Sequence, residues 1–332
     1  MKINPLFDPN QNQYTVFTPD TDPRLVKFCN TAKAGLWQAG DINFSFDKEQ
    51  WETKLKPEEQ DYIKQILAFF ASSDGLVNEN IVLSFVTQVK IPEVKFYYYY
   101  QMMQEAVHSE TYSNLITTFI KNTKEQKLLF DSLNNHPIIK KKGDWCRKWM
   151  KHSLHSKLDT KQFFESMVAF LAVEGIFFSS SFASIFWLRD RGILANSLGV
   201  ANEYISLEEG AHANFASFLI KTYGQDDVSS EAIINIITEA TEIECEFVDY
   251  ILPDKLLGMN KELMKQYVKY VADIWTKELT GQVIYQATNP FDFMKTIGQS
   301  GKDNFFEKTR TNYSHKTAQG DNANDYDLDL ED

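Results

Sequence analysis

Residues 163–188 read FFESMVAFLAVEGIFFSSSFASIFWL, a run apolar on every side and long enough to cross a bilayer, yet with Glu174 at its centre and Ser179, Ser180 and Ser181 close behind. About 20 apolar residues suffice to span a membrane, but a carboxylate near mid-membrane is expensive. The run is therefore expected to be a helix buried on all sides in a large protein core, and the carboxylate within it needs a partner. A chain of 332 residues can build such a core.

The rest of the chain reads as helices around that element. Only 14 Gly and 9 Pro are present, too few for the many turns of an all-β protein. From Pro57 an apolar stripe runs through Ile63, Ile66, Phe70, Val77 and Ile81 at helical spacing. Further helical patterns cover roughly 93–121, 125–133, 144–155, 160–188, 195–223, 229–250 and 260–287. Residues 1–35 carry Pro5, Pro9, Pro19 and Pro23 and are expected to be an extended N-terminal arm. Residues 36–297 form the helical domain, and 298–332 a flexible acidic tail.

Composition excludes several functions. With 34 Lys and Arg against 46 Asp and Glu the formal charge is −12, which disfavours nucleic acid and anionic membranes as partners. Three cysteines, Cys29, Cys146 and Cys245, with no CxxC spacing, give neither a disulfide framework nor a zinc ribbon. Together with a polar start that lacks an apolar leader core, this points to a reducing, cytoplasmic location.

The chemistry lies in polar residues where the periodicity demands apolar ones. Asp74 falls on the inward stripe of its helix, three residues before Val77. Gln101, Glu105, His108, Tyr112, Leu115 and Phe119 follow one another at steps of 4, 3, 4, 3 and 4, which sets Glu105 beside His108 on one face. Ile205, Glu209, His212, Ala216 and Leu219 repeat the pattern. With Glu174, four helices each bring acids inward. Four buried carboxylates repel one another unless cations lie between them. One carboxylate from each of two helices plus two Glu-x-x-His pairs is the ligand set of carboxylate-bridged dimetal bundles. Oxygen and imidazole donors suit iron or manganese, and spacing alone does not choose between two irons, two manganese and a mixed pair. HExxH is absent, and one zinc would need fewer acids. Tyr112, one turn beyond His108, is either a core tyrosine or an oxidisable side chain next to the metals. Phe178, Phe182 and Ile205 neighbour the ligands and would supply an apolar pocket that keeps water from a reactive species.

The segments FFASSDGLVNEN, MMQEAVHSETYSNLI, AVEGIFFSSSF and YISLEEGAHANFA, in this order, closely resemble the small, radical-generating subunit of class I ribonucleotide reductase of the eukaryotic and viral type. The resemblance runs over roughly residues 25–313 and takes in NPFDFM and NFFEK near the end. It implies an all-α, ferritin-like fold, a homodimer and a di-iron-oxo centre held by Asp74, Glu105, His108, Glu174, Glu209 and His212. Tyr112 would be oxidised by dioxygen at the reduced metals to a stable tyrosyl radical. Trp37 would pass an electron toward the metal near His108, and Tyr313 would relay oxidation to the large subunit, which reduces ribonucleotides. The acidic end Tyr326–Asp332 stands where the family has its peptide for docking on the large subunit. Two departures are visible. Leu207-Glu208 replaces the family's Arg-Asp, so Glu208, one methylene longer, would have to link Trp37 to His108. The chain also ends Leu-Glu-Asp where an apolar residue is common. The alternative function is that of a ferritin-like dimetal oxidase or oxygenase acting on a bound apolar substrate.

Overall fold

The computed structural model describes residues 3–11, 13–150, 159–254 and 259–294. Tyr313 and the segment Tyr326–Asp332 lie outside the described residues. Nine helices of twelve residues or more are found among those described: α1 Pro23–Ala34, α2 Pro57–Asn80, α3 Pro92–Phe119, α4 Pro137–Trp149, α5 Thr160–Ala172, α6 Ser179–Asp190, α7 Leu198–Tyr223, α8 Ser230–Ile251 and α9 Lys261–Thr280. Short helices at Lys48–Thr53, Thr123–Phe130 and Ser132–Asn135 and a few single 3₁₀ turns fill the connections.

Local chemistry sets the helix ends. Pro23, Pro57, Pro92 and Pro137 each open a helix, where the missing N–H is no loss and the fixed φ is already helical. Asp159, Ser229 and Asn260 cap α5, α8 and α9 with a side-chain oxygen that accepts from a first-turn N–H. At the far end of α9 Gly281 takes the left-handed conformation, φ 74°, and its N–H returns to Lys277 O. That glycine stops the helix at Thr280, seven residues short of the expected 287. The chain then folds back over Asp273, whose carboxylate accepts from the backbone N–H groups of Ile284, Tyr285 and Ala287, each at 2.8 Å.

The segment expected as an extended arm contains α1, and Leu6, Leu25 and Cys29 are buried in the same core that continues to Met294. Asp22 is the N-cap of that helix and Pro23, counted in the expected arm, its first residue. Helix α4 likewise begins at Pro137 instead of near residue 144.

Helices α2 and α3 pack as a pair, α7 lies against α3, α5 and α6, and α8 pairs with α9 while also contacting α4 and α5. The apolar run is not one continuous α-helix. A π-helical segment, Val173–Phe177, joins α5 to α6, and a second one, Ile81–Val86, extends α2. Two helices, Pro57–Val86 and Thr160–Asp190, are long and apolar enough to span a membrane. In the second, every residue of the most apolar window is buried inside the protein, as the position of Glu174 demands.

Candidate metal centre

Helix α2 brings in Asp74, α3 brings Glu105 and His108, the π segment brings Glu174, and α7 brings Glu209 and His212. All six are at most 1% exposed. Their ligand atoms gather in two groups, Asp74, Glu105 and His108 in one and Glu105, Glu174, Glu209 and His212 in the other, each with its atoms within 4.8 Å of one another. Glu105 belongs to both.

The two histidines face the same pair of carboxylates. His108 Nδ1 lies 3.5 Å from Glu105 Oε2 and 3.0 Å from Glu209 Oε1. His212 Nδ1 lies 3.1 Å from Glu105 Oε1 and 3.1 Å from Glu209 Oε2. Glu105 and Glu209 thus each present one oxygen to either histidine, while Asp74 stands on the His108 side and Glu174 on the His212 side, 4.0 Å from its Nδ1. Such an arrangement would suit a pair of cations, with Glu105 and Glu209 placed to reach both.

The outer nitrogens are held by protein. His108 Nε2 donates to Glu208 Oε2 at 2.8 Å and His212 Nε2 donates to Gln104 Oε1 at 3.0 Å, which leaves both Nδ1 lone pairs to face the cluster. Gln104 Nε2 in turn donates to Glu208 Oε1 at 3.0 Å, so one amide ties the two histidines' supports together. Gln101 Nε2 donates to Glu174 Oε1 at 3.3 Å. Trp37 Nε1 donates to Glu208 Oε2 at 2.9 Å, with the indole 6.3 Å from the His108 ring and nearly parallel to it. The longer Glu208 therefore reaches Trp37, His108 and Gln104 at once, and the added methylene is accommodated. A cavity of about 730 Å³ opens beside it, bordered by Leu207, Gln104 and residues of α1, α7 and α9.

The donors fit metal cations and little else. Asp74 Oδ2, both Glu105 oxygens, Glu174 Oε2 and His108 Nδ1 are buried without a hydrogen-bond partner. Such atoms are rare in a folded protein unless something else satisfies them. Two divalent ions would balance the four carboxylates. Without them, protons take up the strain. Burial first, then the charge of Glu105, pushes the Asp74 carboxyl well above its ordinary range, and burial with Glu209 and Glu105 does the same to Glu174. Burial opposes the charged form of His212, but the facing carboxylates of Glu105 and Glu209 outweigh it and raise its pKa to about 9. His108 is raised by the same contest with Glu105, Glu208 and Glu209, and Glu209 is held low by Glu174 and the two imidazoles in spite of its burial.

Tyr112 is 2% exposed, and its hydroxyl has no hydrogen-bond partner. Its ring stacks on Phe70 at 4.5 Å between centroids with 8° between planes. Phe70 in turn meets Phe182 at 5.1 Å and Phe178 at 5.6 Å, so the three rings pack together beside the phenol. Ile205, one turn before Glu209, is 1% exposed. Burial, then the charges of Asp74, Glu209 and Glu105, keeps the Tyr112 phenol protonated far above its ordinary range. Three residues of the site were missed by sequence reasoning. Phe70 lay on the apolar stripe and passed for ordinary core, Gln101 was noted only as a stripe position, and Gln104 sits one residue off the stripe. The signal for Gln104 was its place one turn before His108.

Comparison with known proteins agrees with this geometry. The profile of the family described as ribonucleotide reductase, small chain, matches residues 15–290. The chain is 42% identical over 329 residues to the ribonucleoside-diphosphate reductase small chain of vaccinia virus (strain Ankara), covering 99% of this chain and 100% of that protein. To the corresponding small chain of Neurospora crassa it is 43% identical over 309 residues, 93% of this chain and 73% of the other. Among solved structures, the ribonucleotide reductase Rnr4 homodimer from Saccharomyces cerevisiae superposes with a TM-score of 0.76 at 31% identity, over 89% of this chain and 92% of that one. The chain belongs to the ribonucleotide reductase small-chain family.

Proposed function

We propose that this chain is the radical-generating small subunit of a ribonucleoside-diphosphate reductase, an oxidoreductase active only with a large subunit. The observation that carries the reading is the pair of carboxylates, Glu105 and Glu209, shared between two histidines, with the sealed, unpartnered phenol of Tyr112 one turn from His108. Two iron ions held by the six ligands, or manganese in one or both places, would supply with dioxygen the one-electron oxidation that leaves a radical on Tyr112.

The chain's own residues do the rest. Glu208 and Gln104 fix the ring orientation of the two histidines. Phe70, Phe178 and Phe182 keep water and reductants from Tyr112. Trp37, Glu208 and His108 form a hydrogen-bonded path that leads outward from the centre, suited to moving an electron with its proton. Tyr313 continues that path to the large subunit, and Tyr326–Asp332 docks there: six acids from Asp321 onward, alternating with Tyr326, Leu328 and Leu330, combine charge with apolar anchors. A second copy pairs along the outer face of α3, where Tyr99 and Met103, one turn apart, are 51% and 48% exposed. The net charge of −12 gives nucleic acid no part in this.

The test is reconstitution. The metal-loaded chain mixed with the large subunit should reduce ribonucleoside diphosphates. The chain lacking Tyr326–Asp332 should keep its radical yet neither bind the large subunit nor support reduction. A radical consumed only by an added apolar substrate, with no reduction of nucleotides, would favour an oxidase instead.

A further inference from the structure

Lys142, on α4, is 1% exposed in the middle of the core. Its Nζ lies 2.5 Å from Glu244 Oε2 on α8 and stands over the rings of Phe69 at 3.7 Å and Phe247 at 3.6 Å. Glu244 accepts a further short bond from Ser180 of α6 through Oε1. A buried ion pair seldom stabilises more than apolar residues of the same volume would, so stability is a poor reason for one here. What the pair does that apolar residues could not is to make a directed bond. Lys142 Nζ donates at 2.9 Å to the carbonyl of Phe177, the last residue of the π segment that carries Glu174. Ser179 Oγ donates to the preceding carbonyl, Ile176 O, at 2.7 Å.

The same turn is fixed from another helix. A Cβ placed on Gly175, the neighbour of Glu174, would come within 2.3 Å of Trp275 Nε1 on α9. Only glycine lets α9 approach this closely, so the turn has no slack toward α9. A π turn holds one more residue than an α turn, and such turns are found where a functional side chain must be re-aimed. Fastened at Phe177 and pressed at Gly175, the residue next to Glu174, the segment sets where that carboxylate points.

We propose that Lys142 is a positioning residue for the metal ligand Glu174, acting through the Phe177 carbonyl, with Glu244 keeping the ammonium in place. This rests on the dimetal reading of the centre. The test uses Mn(II) as probe on the full chain without oxygen, following free ion by its electron paramagnetic resonance signal, so that no turnover is needed. Lys142→Met/Glu244→Leu removes both charges and the bond to Phe177 O. It should keep its thermal midpoint within a few degrees of wild type and bind the weaker-held ion at least ~10-fold less tightly, the scale found for lost outer partners of ligands. Glu244→Gln leaves the Lys142 donor facing Phe177 O and should change that affinity by less than about threefold, well short of the outer-partner scale. A folded double variant with wild-type affinity for both ions would overturn the proposal, as would Glu244→Gln losing as much affinity as the double variant. If the double variant does not fold, Lys142→Met alone, which removes the donor to Phe177 O, is read by the same titration, and wild-type affinity for both ions in it would overturn the proposal. A wild-type chain that takes up no second ion would instead bring down the dimetal reading, and with it this role.

Discussion

Replacing Tyr112 by phenylalanine removes a single oxygen that touches no hydrogen-bond partner, from a ring that is 2% exposed and stacked 4.5 Å from Phe70. The packing is unchanged, because Phe fills the same stacked position. No hydrogen bond is lost, and the cost of burying an unpaired hydroxyl, about 1–3 kcal/mol from protein substitutions, is relieved. The variant should therefore be as stable as wild type or up to ~2 kcal/mol more stable, which for a chain of this size raises the thermal midpoint by no more than a few degrees. Metal stoichiometry should be unaltered, since none of the six ligand positions is touched. The stable radical should nevertheless vanish, and nucleotide reduction with it. Thermal unfolding at one scan rate, metal analysis and electron paramagnetic resonance on the same preparation check all three. A loss of more than about 1 kcal/mol would mean that the hydroxyl has a partner, contrary to the geometry. An unchanged radical signal would place the radical on another residue.

Other consequences follow from the same site. Glu105 belongs to both ligand groups and Asp74 to one, so Glu105→Ala should weaken both ions while Asp74→Ala weakens only the one beside His108; equal effects in a metal titration would refute the shared-carboxylate geometry. Metal uptake should release protons, because Asp74 and Glu174 are pushed up by burial and neighbouring carboxylates and His212 is raised to about 9, so that at neutral pH the metal-free site holds protons the cations must displace. Affinity then rises with pH up to about 9 and falls in acid, and calorimetry in two buffers of different ionisation enthalpy should show more than one proton released; uptake without protons would contradict it. Tyr313→Phe should still bind the large subunit yet stop turnover, since the ring keeps its bulk but loses the proton that leaves on oxidation. Normal turnover in that variant would remove Tyr313 from the relay.

The metal-binding cluster was legible in the sequence because buried helices write their faces at three- and four-residue steps, and acids and imidazoles on several such stripes together need cations between them. Asp74, Glu105, His108, Glu174, Glu209 and His212 stand out in this way, and the structure brings all six together. The π segment at Glu174 was not legible. An extra residue in one turn leaves no local signature in a run that is apolar on all sides, and the groups that touch it, Lys142 of α4 and Trp275 of α9, are both distant in sequence. Gln104 escaped notice for a related reason: it supports ligands instead of binding metal, and its partners His212 and Glu208 come from another helix. Proline misled at both ends of the argument. Pro23 was counted in the expected arm and Pro137 fell between the expected helices, yet they are first-turn residues of α1 and α4, whereas the stop that mattered was Gly281.

Metal analysis together with electron paramagnetic resonance on the aerobically reconstituted protein tests the central claim most directly. The expected result is about two iron or manganese ions per chain, as the ligand set of a dimetal bundle requires, and a persistent radical signal that appears without any added substrate and is absent from Tyr112→Phe. One ion per chain, bulk uptake of many, or two ions with no radical in wild type would contradict it.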